Sequence, residues 1–337
     1  MSTMKNTYFY LLPITILLLV SCSPNPKYIR NSGFTQGTTY HFIYKSPKGE
    51  DFQKELEVEL EKFNQSLSNY HPTSIISRMN HDDTSVMADL LFEACFMKAM
   101  EISAITGGAF DLTVGPLVNA WGFGFEDAQK VDSKTIDSLM QYVGYHKIKL
   151  ENGRLIKNNP NIKVDVNAIA QGFAVDVISQ WLEEKQIENY MVEIGGELRV
   201  KGINDKGTLW QIGIDKPIDG SSETDRELQN IVSLDNMSLS TSGNYRKFYE
   251  KEGIKYSHTI DPKTGYPVQH NLLSASVAAI DCMTADAFAT AFMVLGLEKS
   301  IELANKLDYL EVYFIYSDST SQYRVYASEG FQKMITE

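Results

Sequence analysis

The sequence predicts an α+β fold, with helices laid on mixed, largely antiparallel sheets. Three observations point there. Apolar residues recur at helical spacing over three long stretches before residue 190, and short strand-like runs follow one another after it. A hydrophobic content of 43%, with 11% aromatic residues, supplies a packed core.

The elements follow in order. From Tyr8 to Val20 the chain is apolar, with Lys5 ahead of it. The run is too short and too near the terminus for an ordinary spanning helix, so residues 1–21 read as a secretion signal. Leu19-Val20-Ser21-Cys22 resembles a bacterial lipobox, in which Cys22 is lipidated and becomes the first residue. An uncleaved membrane anchor with a chance cysteine is the competing account. Residues 22–32, opening with Ser23-Pro24-Asn25-Pro26, read as a tether, and 33–337 as the folded domain. Such an anchor implies the inner membrane, on its periplasmic side.

Leu56, Leu60, Phe63 and Leu67 predict an amphipathic helix over 50–68, and a second helix spans 86–106, ended by Gly107-Gly108. Phe173, Val177 and Trp181 place a third after Gly172. Strands are expected at 190–194, 198–202, 210–214, 254–260 and 273–280, the last mostly apolar and central. Residues 218–229 read as an exposed loop, 283–295 as a buried alanine-rich helix, and 309–316 with 323–326 as a closing strand pair. A net charge of −12, without a dense Lys/Arg cluster, argues against nucleic acid as a partner. Cys95 and Cys282 have no metal-type spacing and read as reduced core residues.

Seven stretches carry more glycine, hydroxyl and carboxylate than packing needs. Thr35-Gln36-Gly37-Thr38 is a small-residue turn that lets backbone approach a ligand, or an ordinary strand entry. In residues 66–80, Tyr70 can stack on a flat ring, although serine caps on a loop explain the segment equally. Gly107-Gly108-Ala109-Phe110-Asp111, followed by Gly115-Pro116, is a bent segment that fixes one acid. That acid either caps a helix or binds a base edge or ribose. Val164-Asp165-Val166-Asn167-Ala168-Ile169-Ala170-Gln171-Gly172 runs from a short strand into a helix N-terminus, where anions bind favourably. It lacks the spacing of a P-loop and of a Rossmann fingerprint.

Ser240-Thr241-Ser242-Gly243-Asn244-Tyr245-Arg246 sets hydroxyls and glycine beside an arginine fork, which suits a phosphate, with Ser242 and Arg246 as contacts; a polar hairpin turn competes. Asp261-Pro262-Lys263-Thr264-Gly265-Tyr266-Pro267 is a rigid turn that fixes the strand end bearing His258. Asp286 and Thr290, four residues apart, emerge from one helical face. A buried carboxylate needs a cation: either an arginine elsewhere or a hard ion such as Mg²⁺, with substrate phosphate and water completing its shell.

In this order the segments resemble the ApbE family, the FAD:protein FMN transferases, from Thr35 to about Leu310. The specific matches are the run from Gly108 to Gly124, Ser240 to Arg246, Ser257 to Gly265, and Glu193-Ile194-Gly195-Gly196-Glu197, which looks like the family's Gly-Gly-acid turn. The resemblance implies a single ApbE-type domain built around FAD, with contacts at Gln36, Tyr70, Ala109, Phe110, Asp111, Asp165, Gln171 and Ile260. It implies metal ligands at Asp286, Thr290 and the backbone oxygen of Ala168, and a histidine near the diphosphate at His258. Gln36 stands where the family commonly has methionine, Asn167-Ala168 replace a more usual small pair, and Gln171 replaces an often charged residue. The implied reaction moves FMN from FAD onto a Thr or Ser hydroxyl of a target flavoprotein, with AMP leaving. His258 would take the hydroxyl proton, with Asp261 as an alternative base or an orienting group. The expected acceptor is a subunit of a membrane redox complex, of the kind found in Na⁺-translocating NADH:quinone oxidoreductases. Two rivals are an Mg²⁺-dependent FAD pyrophosphatase that uses water, and a periplasmic flavin-binding lipoprotein without catalysis.

Overall fold

A computed structural model describes residues 26–124, 131–218, 227–245, 248–251 and 254–336, with the side chains of 248–251 and 254–256 left aside. The signal 1–21, Cys22, Arg246 and most of the expected loop at 218–229 lie outside these residues.

The chain opens on a hairpin of β1 (Lys27–Thr35) and β2 (Thr38–Ser46), joined by the two-residue turn Gln36-Gly37. Helices α1 (Gln53–Leu67), α2 (Ile75–Asn80), α3 (Leu90–Ile105), α4 (Gly115–Ala120) and α5 (Ser133–Met140) follow. A small hairpin, β3 (Ile148–Glu151) and β4 (Arg154–Lys157), precedes α6 (Ala170–Glu184). Then come β5 (Tyr190–Ile194), β6 (Glu197–Lys201), β7 (Trp210–Asp215), β8 (Leu228–Leu234) and β9 (Ser238–Gly243). After these come β10 (Phe248–Lys251), β11 (Ile254–Ser257), β12 (Leu272–Ala279), α7 (Cys282–Leu295) and α8 (Leu297–Ala304). The described chain ends with β13 (Glu311–Ser317), β14 (Tyr323–Ala327) and α9 (Glu329–Met334).

Among the described residues, eight strands make one sheet in the order β1-β2-β5-β6-β9-β12-β13-β14, every neighbouring pair antiparallel. One face carries α1, α3, α6 and α7 over a core that includes Phe42, Tyr44, Tyr190, Phe288, Phe292 and Phe314. The β7–β8 pair and α9 cover the other face through Trp210, Val232, Leu234 and Phe331. A third, smaller cluster of Leu117, Trp121, Ile136, Val143 and Ile260 fastens the α4–α5 segment to the turn after β11. Trp121 Nε1 donates to the Gly265 carbonyl at 2.9 Å across this joint. Helix α7 is buried along most of its length, and its alanines at 285, 287, 289 and 291 let it lie close against α6 and the sheet. Cys95 and Cys282 are free and buried, as expected.

Three local expectations are corrected. Residues 27–32, expected in the tether, are strand. Lys27 already pairs with Ser46, and Asn31 Nδ2 donates to Asp51 Oδ1 at 2.9 Å, so polar pairing does what an apolar stripe does elsewhere. The stretch at Val164-Asp165 forms no strand among the described residues. The Asn80 amide stands in for a neighbouring strand: Val164 N donates to its Oδ1 at 2.7 Å, and its Nδ2 donates to the Val164 carbonyl at 2.8 Å. The strand expected at 254–260 stops at Ser257, and Ile260 makes a lone bridge to Pro267.

Candidate functional site

The turn, loop and helix ends singled out in the sequence open onto one cleft of about 840 Å³. Gln36 reaches it from the β1–β2 turn, Tyr70 from the loop after α1, and Ala109, Phe110 and Asp111 from the bend after α3. Asp165, Ala168 and Gln171 come from the approach to α6, Ser242 from the end of β9, and His258 and Ile260 from the segment after β11. Asp286 and Thr290 face it from α7.

Asp111 caps no helix, since α4 has Val114 at its N-cap with no side-chain cap. Its Oδ1 accepts from Thr113 N at 2.8 Å and Thr113 Oγ1 at 2.6 Å, and its Oδ2 accepts from Tyr145 N at 2.7 Å. Burial raises its carboxyl above the usual range, against the pull of these bonds. Asp165 is less tied, accepting from Asn167 N at 2.8 Å and from the Asn69 side chain, and burial raises it as well. The two acids should therefore separate on mutation. Asp111→Ala is expected to cost about 2–4 kcal/mol of stability, since three donors lose a charged acceptor. Asp165→Ala should melt closer to wild type while weakening flavin binding more. Chemical denaturation and flavin-fluorescence titration check both, and the reverse ranking would reject the assignment.

The acidic end of the cleft is built by a close crossing of α6 and α7. Asp176 on α6 accepts from Cys282 N at 2.9 Å and Met283 N at 2.8 Å, holding the start of α7, and pairs with Arg199 at 3.2 Å. Burial pushes its carboxyl up to about 6. One turn earlier, Gly172 N donates to Asp286 Oδ2 at 3.0 Å and not back to the Ala168 carbonyl, which accepts no hydrogen bond among the described residues. Gly172 has no room for a side chain, because a Cβ there would lie 2.4 Å from the Cys282 carbonyl oxygen and 2.7 Å from Asp286 Cβ. Asp286 is 6% exposed, and no described lysine or arginine pairs with it, so the arginine alternative does not hold among the described residues. Burial raises its carboxyl, and the charge of Asp176 adds to this. Thr290 Oγ1 lies 3.3 Å from Ser242 Oγ.

His258 sits half-buried, with Phe123 edge-on at 6.4 Å between ring centroids. Asp261 does not join it in the cleft. Its Oδ1 accepts from Lys263 N at 2.9 Å and its Oδ2 from Thr264 Oγ1 at 3.2 Å, so the carboxylate builds the turn and the reading of Asp261 as a base or orienting group is withdrawn. Two features add to the sequence reading of Gln36 and of the Gly-Gly-acid turn. Gln36 Nε2 is buried without a hydrogen-bond partner among the described residues. Glu197 follows Gly195-Gly196, whose φ values of +66° and +111° make the β5–β6 turn, and it too is buried in the cleft wall. An acid placed directly after a strand-ending glycine pair was the available signal.

The model of the ApbE family matches residues 36–314, a span that holds every described site residue above. The chain belongs to the ApbE family. Its similarity to family relatives extends over most of both chains. An FAD:protein FMN transferase of Haemophilus influenzae is 40% identical over 314 residues, covering 89% of each protein. One from Vibrio cholerae is 36% identical over 331 residues, covering 96% of this chain and 97% of the relative. Among solved structures, the flavin transferase ApbE from Vibrio cholerae superposes with a TM-score of 0.83 at 36% identity, over 92% of this chain and all of that one. The apo form of the Pseudomonas stutzeri flavinyl transferase ApbE gives 0.80 at 30% identity, over 92% and 97%. The single ApbE-type α+β domain expected from the sequence is thus the fold observed.

Proposed function

We infer that the chain is an FAD:protein FMN transferase. The observation that carries this is the convergence, in one cleft of an ApbE-family fold, of the flavin-side residues Tyr70, Asp111 and Asp165 with His258, Asp286 and Thr290. The cleft volume lies in the upper part of the range of small-molecule sites, as a dinucleotide requires. Gln36 and Gln171 line the same wall and offer amides to polar atoms of FAD.

The residues at the acidic end fit a divalent cation. The open Ala168 carbonyl, the buried Asp286 carboxylate and the Thr290 hydroxyl are hard oxygen donors, and Asp286 lacks a basic partner among the described residues. Asp286, Thr290 and Ala168 would hold Mg²⁺, which when bound supplies charge neutralisation at the diphosphate. The protein's own part is positioning and proton transfer. His258 takes the proton of an acceptor Thr or Ser hydroxyl as its oxygen bonds to the FMN phosphorus. The bond from that phosphorus to the bridging oxygen breaks, and AMP leaves. Phe123 packs on the imidazole and limits its orientations. Ser242, hydrogen-bonded to Thr290, and Arg246, outside the described residues, are the phosphate contacts of this reading.

Export and lipidation at Cys22 would place this site on the periplasmic side of the inner membrane, beside redox complexes whose subunits carry the acceptor hydroxyl. Support for the anchor is the apolar run that ends at Leu19-Val20-Ser21-Cys22. Cys22→Ala is expected to accumulate as unlipidated precursor. Membrane fractionation and intact mass check this, and wild-type maturation of the variant would reject the anchor.

The test of the reaction is the mass of an acceptor subunit after incubation with enzyme, FAD and Mg²⁺. A gain of one FMN, lost when the acceptor hydroxyl is replaced by alanine, is the expected result. His258→Ala should lower transfer by about a hundredfold or more while FAD affinity stays near wild type. Release of free FMN and AMP at one rate with or without acceptor, and no labelled protein, would instead make the chain an FAD pyrophosphatase.

A further inference from the structure

Glu197 has no part in the chemistry above, yet its surroundings ask for a ligand. It opens β6 directly after the Gly195-Gly196 turn, is 8% exposed, and lines the cleft. Its Oε1 accepts from Ser240 Oγ at 3.4 Å, a long bond, and its Oε2 is buried with no hydrogen-bond partner among the described residues. Leaving a carboxylate oxygen buried and unpaired is unfavourable, and such atoms mark places where something else completes the structure. β6 pairs with β9 at Leu198–Leu239, and α7 packs on both strands, so the helix that carries Asp286 packs on the strands that carry Glu197 and Ser240. Two buried carboxylates thus share one wall of the cleft. The nearest basic side chain on β6, Arg199, is occupied by Asp176 at 3.2 Å and Glu183 at 3.6 Å. No described lysine or arginine pairs with Glu197 or Asp286.

We propose that Glu197 is a second carboxylate partner of the divalent cation held by Asp286, Thr290 and the Ala168 carbonyl, so that the ion lies between two acids. The inference rests on the cation reading given under the proposed function. It accounts for the orphaned Oε2, and a doubly charged hard ion is what compensates two carboxylates in one oxygen-lined wall. Ser240 then serves as a positioning residue, holding Oε1 so that Oε2 faces the ion.

The experiment measures Mn²⁺ binding to the full-length protein by loss of the free-ion EPR signal, with and without saturating FAD. Glu197→Gln keeps the shape and removes the charge. It is expected to weaken Mn²⁺ binding by about ten- to a hundredfold, while Asp286→Ala abolishes it. Glu197→Gln with wild-type Mn²⁺ affinity, alongside loss of binding in Asp286→Ala, would overturn the role of Glu197 and leave the cation reading standing. A wild-type protein that binds no Mn²⁺ under either condition would overturn both. Should Glu197→Gln fail to fold, Glu197→Asp, which keeps the charge and withdraws the oxygen, replaces it with the same two outcomes.

Discussion

Asp286→Ala is expected to lower FMN transfer by at least about a hundredfold, the scale set by removing one fixed electrostatic contact to a transition state. The protein should stay folded, because the change leaves only the Gly172 amide without its acceptor, a cost of about 1–2 kcal/mol. FAD affinity should survive in part, since Tyr70, Asp111 and Asp165 lie on other elements of the cleft. The pH response carries a second signature. The folded state holds the Asp286 carboxyl above its unfolded value, so the native protein binds more protons in that interval. The contribution of Asp286 to the stability of the metal-free protein is then fully present below the unfolded value of about 4 and is lost as pH rises through the raised one. Asp286→Asn should flatten part of that fall, measured as melting temperature against pH without metal. Full transfer in Asp286→Ala at limiting Mg²⁺ would reject the site.

Gly172→Val should be the most disruptive single change in the helix crossing. Its side chain would meet the Cys282 carbonyl and Asp286 Cβ at distances no real contact tolerates, so α6 and α7 must separate. A stability loss of about 3 kcal/mol or more is expected, the upper end of overpacking costs. Any folded fraction should also lose transfer, because the same displacement carries Asp286 away from the open Ala168 carbonyl. Gly172→Ala should show the same pair of effects at reduced size. Denaturant unfolding and single-turnover transfer check this. A Gly172→Val protein with wild-type stability would mean that the two helices do not cross as closely as described.

Helices α6 and α7 and strand β12 were legible because their apolar residues run long enough to set a period, and the motifs that flank them fell where backbone must bend. The site came with them. Thr35–Thr38, Gly107–Asp111 and Asp165–Gly172 lie at the ends of elements, Asp286–Thr290 lies within α7, and all four meet at one cleft. What stayed hidden was carried by partners distant in sequence. β1 reads as polar linker because only Tyr28 and Ile29 are apolar in its first half, and its identity comes from pairing with β2. The stretch at Val164 is held by one amide side chain 84 positions away, which no local pattern announces. Asp261 looked chemical because it neighbours His258, but an aspartate ahead of Pro-x-Thr-Gly has turn amides and hydroxyls closer to hand than any histidine. Glu197 was visible as a residue and invisible as a buried one, since burial depends on a helix packed over it from residues 282–295.

The early start of β1 also sets a working height. If Cys22 carries the proposed lipid anchor, the five residues from Cys22 to Pro26 can span at most about 18 Å when fully stretched. The nine residues of β1 then rise about 30 Å from Lys27 to the turn at Gln36. The Gln36 edge of the cleft can therefore stand no more than about 50 Å above the lipid headgroups. On that proposal, an acceptor hydroxyl carried on a taller extracytoplasmic domain would be out of range, and the length of the leash would select among membrane partners before any surface recognition begins.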